Sequence, residues 1–178
     1  MTADRQTAGA AAPLELDGVA ARFDHACVAA PRIRDLLPLY QGVLGGVFHQ
    51  GGDNVRVGYR ALQLEYANGS RFELMEPLRG STFLDSFFAR GGGLHHVTFK
   101  VDDVVAAARA AEAAGLTVVG LYTDDPEWKE AFVHPRSASG VLVQLAQAAP
   151  GVPRRATDFG LDDVLAGRGA GGNGEPSP

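Results

Sequence analysis

Two histidines, a glutamate and a glutamine recur at one offset along the chain. His25 and Glu73 are 48 positions apart, and His96 and Gln144 are 48 positions apart as well. Imidazole, carboxylate and amide are groups that bind metal ions or move protons, so the question is whether the chain can bring the four together. Each pair joins the first strand-like run of one half to the last strand-like run of that half. Side chains alternate faces along a strand, so all four residues can point to one side of their sheets. Asp24, Ala26, Val28, Phe72, Leu74, Val97, Val143 and Leu145 would then supply the opposite, helix-covered side. A lone strand histidine is more often a hydrogen-bonded core residue than a ligand. The matched offset is what lifts His25 and His96 above that default.

The elements needed to position these residues follow a repeated order. Residues 23–29 read as a strand, and Asp35 as the N-cap of a helix reaching Leu44, with Pro38 in the first turn where its missing N–H removes no intrahelical bond. Strands follow over 47–50, 55–67 and 71–75, the last two joined by an Asn68-Gly69 turn. Pro77 ends this first half. Ser81 can cap a short connecting helix that carries Phe83, Leu84, Phe87 and Phe88, a cluster suited to packing, and Gly91-Gly92-Gly93 closes it. The order then begins again: a strand over 94–101, a helix capped by Asp102-Asp103 and ended by Gly115, and strands over 116–122, 131–134 and 140–146. A module this short cannot bury its apolar face alone, so two must pair. The expected fold is α+β, two βαβββ modules related by a pseudo-twofold and forming a cupped mixed sheet. Module one covers 21–78, the connector 79–93 and module two 94–147, all within one domain. Tails at 1–20 and 148–178, poor in large apolar residues, are expected to be disordered, the second mostly so, although residues 158–165 could form a turn of helix.

Composition narrows the function classes. A net charge of −5 argues against a broad nucleic-acid surface, and the single cysteine, Cys27, allows no disulfide framework within the chain. No apolar run approaches the roughly 20 residues that span a bilayer. The expectation is a cytoplasmic protein that acts on a small molecule, with neither nucleic acid nor membrane as a partner.

Several strings, in this order and spacing, resemble the vicinal oxygen chelate (glyoxalase/bleomycin-resistance-like) superfamily, and within it the methylmalonyl-CoA epimerases. They are Phe23-Asp24-His25-Ala26, the helix end Leu39-Tyr40-Gln41-Gly42-Val43-Leu44-Gly45, Phe72-Glu73-Leu74-Met75-Glu76-Pro77-Leu78, Gly93-Leu94-His95-His96-Val97, and Phe132-Val133-His134-Pro135 ahead of Gly140-Val141-Leu142-Val143-Gln144-Leu145. The resemblance implies one divalent metal ion, of cobalt, zinc, manganese, nickel or iron, held by His25, Glu73, His96 and Gln144. Two imidazoles, a carboxylate and an amide oxygen form an N/O set that suits such ions and leaves positions for substrate oxygens. It further implies an epimerase whose substrate, a 2-substituted malonyl thioester on coenzyme A for example, chelates the metal through two oxygens and so acidifies the C–H between them. A homodimer is the expected assembly.

Three features depart from the epimerase pattern. The last-strand ligand is an amide, Gln144, and the carboxylate sits at Glu73, so a base role at the last-strand position is lost. The base position on the second strand of module one falls near Leu62, with Gln63 and Glu65 as neighbours in alternative registers. Glu65 is therefore the candidate base and Glu73 the runner-up. Finally, the 124–130 segment replaces a Gly-rich loop with Trp128 among alternating charges. Related chemistry leaves a glyoxalase-like lyase, an iron(II) dioxygenase and a metal-free resistance-type binding protein as alternatives. His49 is expected at the surface, His95 in a structural or solvent-facing role, and His134 at a turn.

Overall fold

The structure, a computed structural model, describes residues 20–149 and 159–168. It contains eight strands: β1 (Ala21–Ala29), β2 (Val47–Asn54), β3 (Tyr59–Glu65), β4 (Arg71–Pro77), β5 (Gly93–Val101), β6 (Val118–Tyr122), β7 (Trp128–Val133) and β8 (Val143–Ala148). They form one mixed sheet in the order β2-β3-β4-β1-β5-β8-β7-β6. That order reads the same from both edges once each half is numbered from its own first strand. The parallel pairs β1–β4 and β5–β8 sit inside, and the antiparallel β1–β5 pair joins the halves. The duplicated module is thus a property of the sheet itself.

The helical segments inside the two modules cover one face. In module two, α2 (Val104–Ala113) starts at Asp103, whose carboxylate accepts from the Val105 and Ala106 N–H groups, and ends at Gly115 with φ +81°. Its neighbour Asp102 pairs with Arg22 instead of capping. Val104, Ala107 and Ala108 pack with Val101 and Ala131, so small side chains bring helix and sheet close. In module one the expected α-helix is replaced. Pro38 has no N–H for the turn before it, and residues 33–35 close as a tight single turn; 38–43 then form a wide turn closed by bonds such as Leu44 N–H to Leu39 C=O. Tyr40 from this wide turn stacks on Phe72 of β4, with centroids 4.9 Å apart.

Several strand boundaries moved. The expected strand over 55–67 starts only at Tyr59, because Asn54 Oδ1 accepts the Val57 N–H and Gly58 takes φ +95°, which turns the chain there. β2 runs on through Gly51, where a Cβ would lie 2.8 Å from the Leu62 side chain. β7 begins at Trp128, three residues earlier than expected.

The disorder expected for 1–20 and 148–178 falls largely on residues outside those described. Within the second stretch, α3 (Leu161–Leu165) docks on module one, and Val164 is fully buried among Ile33, Leu62, Leu64 and Leu74. The short connecting helix α1 (Asp85–Phe88) lies on the other face, where Leu84, Phe87 and Phe88 pack against Cys27, Ala29 and Met75. The packing role expected for that cluster holds for these three, whereas Phe83 is exposed and stacks on Tyr59. Among the described residues, no helix is long and apolar enough to cross a membrane.

Candidate metal centre

The strand registers set the four residues of the repeat side by side. Glu73 lies opposite Cys27 on β1 and Gln63 on β3, Cys27 lies opposite His96 on β5, and the next row runs His25, Thr98, Gln144. All belong to the face that α2 leaves uncovered. His25, His96 and Gln144 are 2%, 6% and 7% exposed. His25 Nε2 lies 3.5 Å from Glu73 Oε2, and His96 Nε2 lies 3.9 Å from Glu73 Oε1. One ligand atom from each of His25, Glu73 and His96 falls within 4.8 Å of the others. Ligands about 2.1 Å from a common ion are separated by roughly 3 to 4 Å, so the cluster is close to the size of a metal site.

Both imidazoles are oriented by the residue before them. The β1–β5 register slips at Asp24 and again at His95, so each is the extra residue of a β-bulge. The bulge at Asp24 overrides alternation: the side chain expected on the helix-covered face instead puts Oδ2 2.7 Å from His25 Nδ1. In the other half, His95 Nδ1 lies 2.9 Å from His96 Nδ1. A carboxylate can only accept, so His25 presents an Nδ1–H to Asp24 and turns Nε2 toward Glu73. Partnering Nδ1 in this way is how metal-binding histidines are commonly held. Burial resists the Asp24 charge, but the His25 bond and the Lys100 and Arg71 charges outweigh it and hold this carboxyl below the usual range. Burial also drives the His96 pKa well down, with His95 and His25 adding to the effect, and it brings His95 to about 4. Neutral imidazoles are the ligand form.

Hydrogen counting shows how this cluster would receive a cation. Thr98 Oγ1 lies 2.6 Å from Gln144 Oε1 and 3.1 Å from His25 Nε2. In the neutral ligand form of His25, with its one proton on Nδ1, both partners are acceptors that compete for one hydroxyl hydrogen. One lone pair is left facing Glu73 and His96, and the residues present therefore fit a divalent ion. Cys27 borders the same row, and burial together with the Glu73 charge keeps its thiol protonated.

Other assignments fall differently. Glu65 lies two residues beyond Gln63 on β3. Its side chain is 41% exposed against 15% for Glu73, and it pairs with Arg71 Nε at 3.2 Å and His49 Nδ1 at 3.4 Å. From β3 it is Gln63, 5% exposed, that enters the cluster, donating to Glu73 Oε2 at 3.4 Å and accepting from Gln50 Nε2 at 3.2 Å. His49 is half-buried against Glu65, not a free surface residue, and His134 accepts the Arg136 N–H at its turn.

Glu130 is the residue that sequence reasoning missed. Its Oε2 accepts from Gln144 Nε2 at 2.8 Å and from Trp128 Nε1 at 3.1 Å, and Oε1 faces Arg56 Nη2 at 3.5 Å. The signal lay in the alternation of Trp128, Glu130 and Phe132 against Lys129, Ala131 and Val133, which marks a strand where a loop was expected. Lys100 Nζ lies over the Trp128 ring, 3.5 Å from its centroid. Arg56, from the β2–β3 turn, stacks on Tyr122 of β6 at 4.0 Å. The two ends of the sheet therefore approach each other, and the polar face is the inside of a cup.

A mixed sheet built from two such modules, with His, Glu, His and Gln gathered on its concave face, defines a class of cupped scaffold. Residues 24–132 match the family model of the glyoxalase/bleomycin resistance protein/dioxygenase superfamily, and the chain belongs to that superfamily. Among its relatives is the ethylmalonyl-CoA/methylmalonyl-CoA epimerase of Cereibacter sphaeroides, 27% identical over 71% of this chain and 97% of that one. Methylmalonyl-CoA epimerase from Mycobacterium tuberculosis superposes with a TM-score of 0.62 at 26% identity, over 72% of this chain and 88% of that one. A variant of the Streptomyces coelicolor methylmalonyl-CoA epimerase, in complex with 2-nitronate-propionyl-CoA, superposes with a TM-score of 0.60 at 26% identity, over 72% and 97%.

Proposed function

We propose that this protein is a metal-dependent epimerase that removes the proton alpha to a carbonyl in an acyl-CoA of the 2-substituted malonyl type. The observation that carries the proposal is the convergence of His25, Glu73 and His96 within 4.8 Å inside the cup, beside Gln144. A divalent ion held by His25, Glu73, His96 and Gln144 would polarise two substrate oxygens and so acidify the C–H between them. The epimerase relatives supply the substrate class.

The chain's own residues do the rest. Glu73 is the favoured proton acceptor, since it stands between both imidazoles, whereas the other candidate, Glu65, is held by Arg71 and His49 at a more exposed position. Gln63 donates to Glu73 and steadies it. Glu73 passes the abstracted proton to solvent, and return of a proton from solvent to the opposite face of the carbon inverts the centre; Trp128, Lys100 and Phe132 stand on the same face of the sheet as the cluster.

The test is to measure bound metal and then follow deuterium entry from solvent into C2 of methylmalonyl-CoA. Metal together with exchange is the expected result. Glu73→Gln, assayed at saturating metal, should lower the exchange rate by about 10² to 10⁴, the usual worth of a positioned base, while Glu65→Gln should stay within about tenfold of the parent. Metal without exchange on this thioester or on smaller analogues would discard the substrate class. A larger loss in Glu65→Gln than in Glu73→Gln would reverse the assignment of the base.

A further inference from the structure

A glutamine is an ambiguous ligand. Its oxygen can bind a cation but its NH₂ group repels one, and the two ends have nearly the same shape. At Gln144 something must decide which end faces His25. Thr98 cannot, because a hydroxyl donates to an oxygen as readily as it accepts from an N–H. Glu130 can, because a carboxylate only accepts. With Oε2 2.8 Å from Gln144 Nε2, it binds the NH₂ end and leaves Oε1 pointing to Thr98 and the histidine cluster.

The carboxylate is itself fixed. Trp128 Nε1–H donates to the same oxygen, and the Arg56 guanidinium, which can only donate, faces the other. Glu130 lies opposite Ala146 on β8, two residues beyond Gln144 and on the same face, and the small alanine leaves room for it. Its side chain is only 13% exposed, so water competes poorly for the bond.

From this we infer that Glu130 is a positioning residue: by accepting from Gln144 Nε2 it turns the amide oxygen toward the metal site and so lets a neutral glutamine serve as the fourth ligand. The inference rests on the assignment of His25, Glu73, His96 and Gln144 as metal ligands, and it explains how an amide is made a defined ligand at that place. It also sets a negative charge beside a ligand that has none.

The test uses the full chain, stripped with a chelator and titrated with Co²⁺, followed by calorimetry and by the visible spectrum of the bound ion. Glu130→Leu removes the acceptor and should weaken Co²⁺ binding about 10- to 100-fold, the usual cost of losing an outer partner of a ligand, and alter the visible bands. In the metal-free protein the side-chain NH₂ signals of Gln144 should lose their protection from exchange in the same variant, a change that a role confined to packing would not produce. Glu130→Gln keeps one acceptor oxygen and should fall between Glu130→Leu and the parent. Should Glu130→Leu fail to fold, Glu130→Gln decides, with threefold weaker binding supporting the inference and equal binding overturning it. Unchanged affinity and spectrum in Glu130→Leu overturn the inference alone. A parent chain that takes up no cobalt overturns the metal site as well.

Discussion

Lys100 shows how the cup alters ordinary side chains. It projects from β5 into the same face as His96 and Thr98, and its ammonium rests on the Trp128 ring. Burial lowers its pKa to about 8, and the Arg71 charge adds to this, while Asp24, Glu130 and Glu73 pull the other way. The sign of the stability effect follows. Between about pH 8 and the ordinary lysine value the unfolded chain holds a proton that the folded chain has lost, so stability rises with pH across that window and is lost as pH falls through 8. Lys100 and Lys129 are the only lysines, which makes the measurement simple. In a ¹³C NMR titration the Lys100 Cε signal should move near pH 8. A Lys100 midpoint at the ordinary 10.5 would show that this residue is solvated and does not form part of the cavity wall.

At the scale of elements, the helix α3 is the least self-sufficient piece. Five residues cannot sustain a helix in water, so Leu161–Leu165 is held by what it covers. Val164 enters the cluster of Ile33, Leu62, Leu64 and Leu74, flanked by Leu161 and Leu165. Val164→Asp would bury a carboxylate without a partner, and undocking of α3 is the cheaper response. The loss should then equal the docking energy, on the order of 1.5 to 3 kcal/mol for one buried aliphatic side chain. Denaturant unfolding should report that loss and limited proteolysis a new cut within Leu161–Leu165, with metal affinity unaltered because the cluster lies on the far face of the sheet. The same element shows where the sequence was hard to read: a helical turn was visible at residues 158–165, but its partner, the back of β3 and β4, was not. Strand-scale features divide likewise. The repeat of His25–Glu73 in His96–Gln144 was legible because both halves use one strand spacing. The bulges at Asp24 and His95 were not, because a one-residue slip between β1 and β5 leaves alternation within each strand intact to the eye. Glu130 stayed hidden for a related reason: charges on both sides made the start of β7 look like loop.

For the whole molecule, the decisive feature is that the two modules contribute equally to the candidate metal centre. His25 and Glu73 come from β1 and β4, His96 and Gln144 from β5 and β8, and the halves otherwise meet along the β1–β5 ladder and across the mouth through Arg56. An ion held by both sides binds the assembled cup and not the separated strands, so it should stabilise the fold by mass action, about 2.7 kcal/mol when the free ion stands at 100 times its dissociation constant. Unfolding midpoints measured with excess chelator and with excess Co²⁺ should differ accordingly. Removing an imidazole from either half, in His25→Ala or His96→Ala, should abolish most of that difference and leave the chelator-treated midpoints closer to each other than to the metal-loaded parent. If one histidine mattered and the other did not, the ion would belong to one module. The pseudo-twofold would then describe the sheet but not the site.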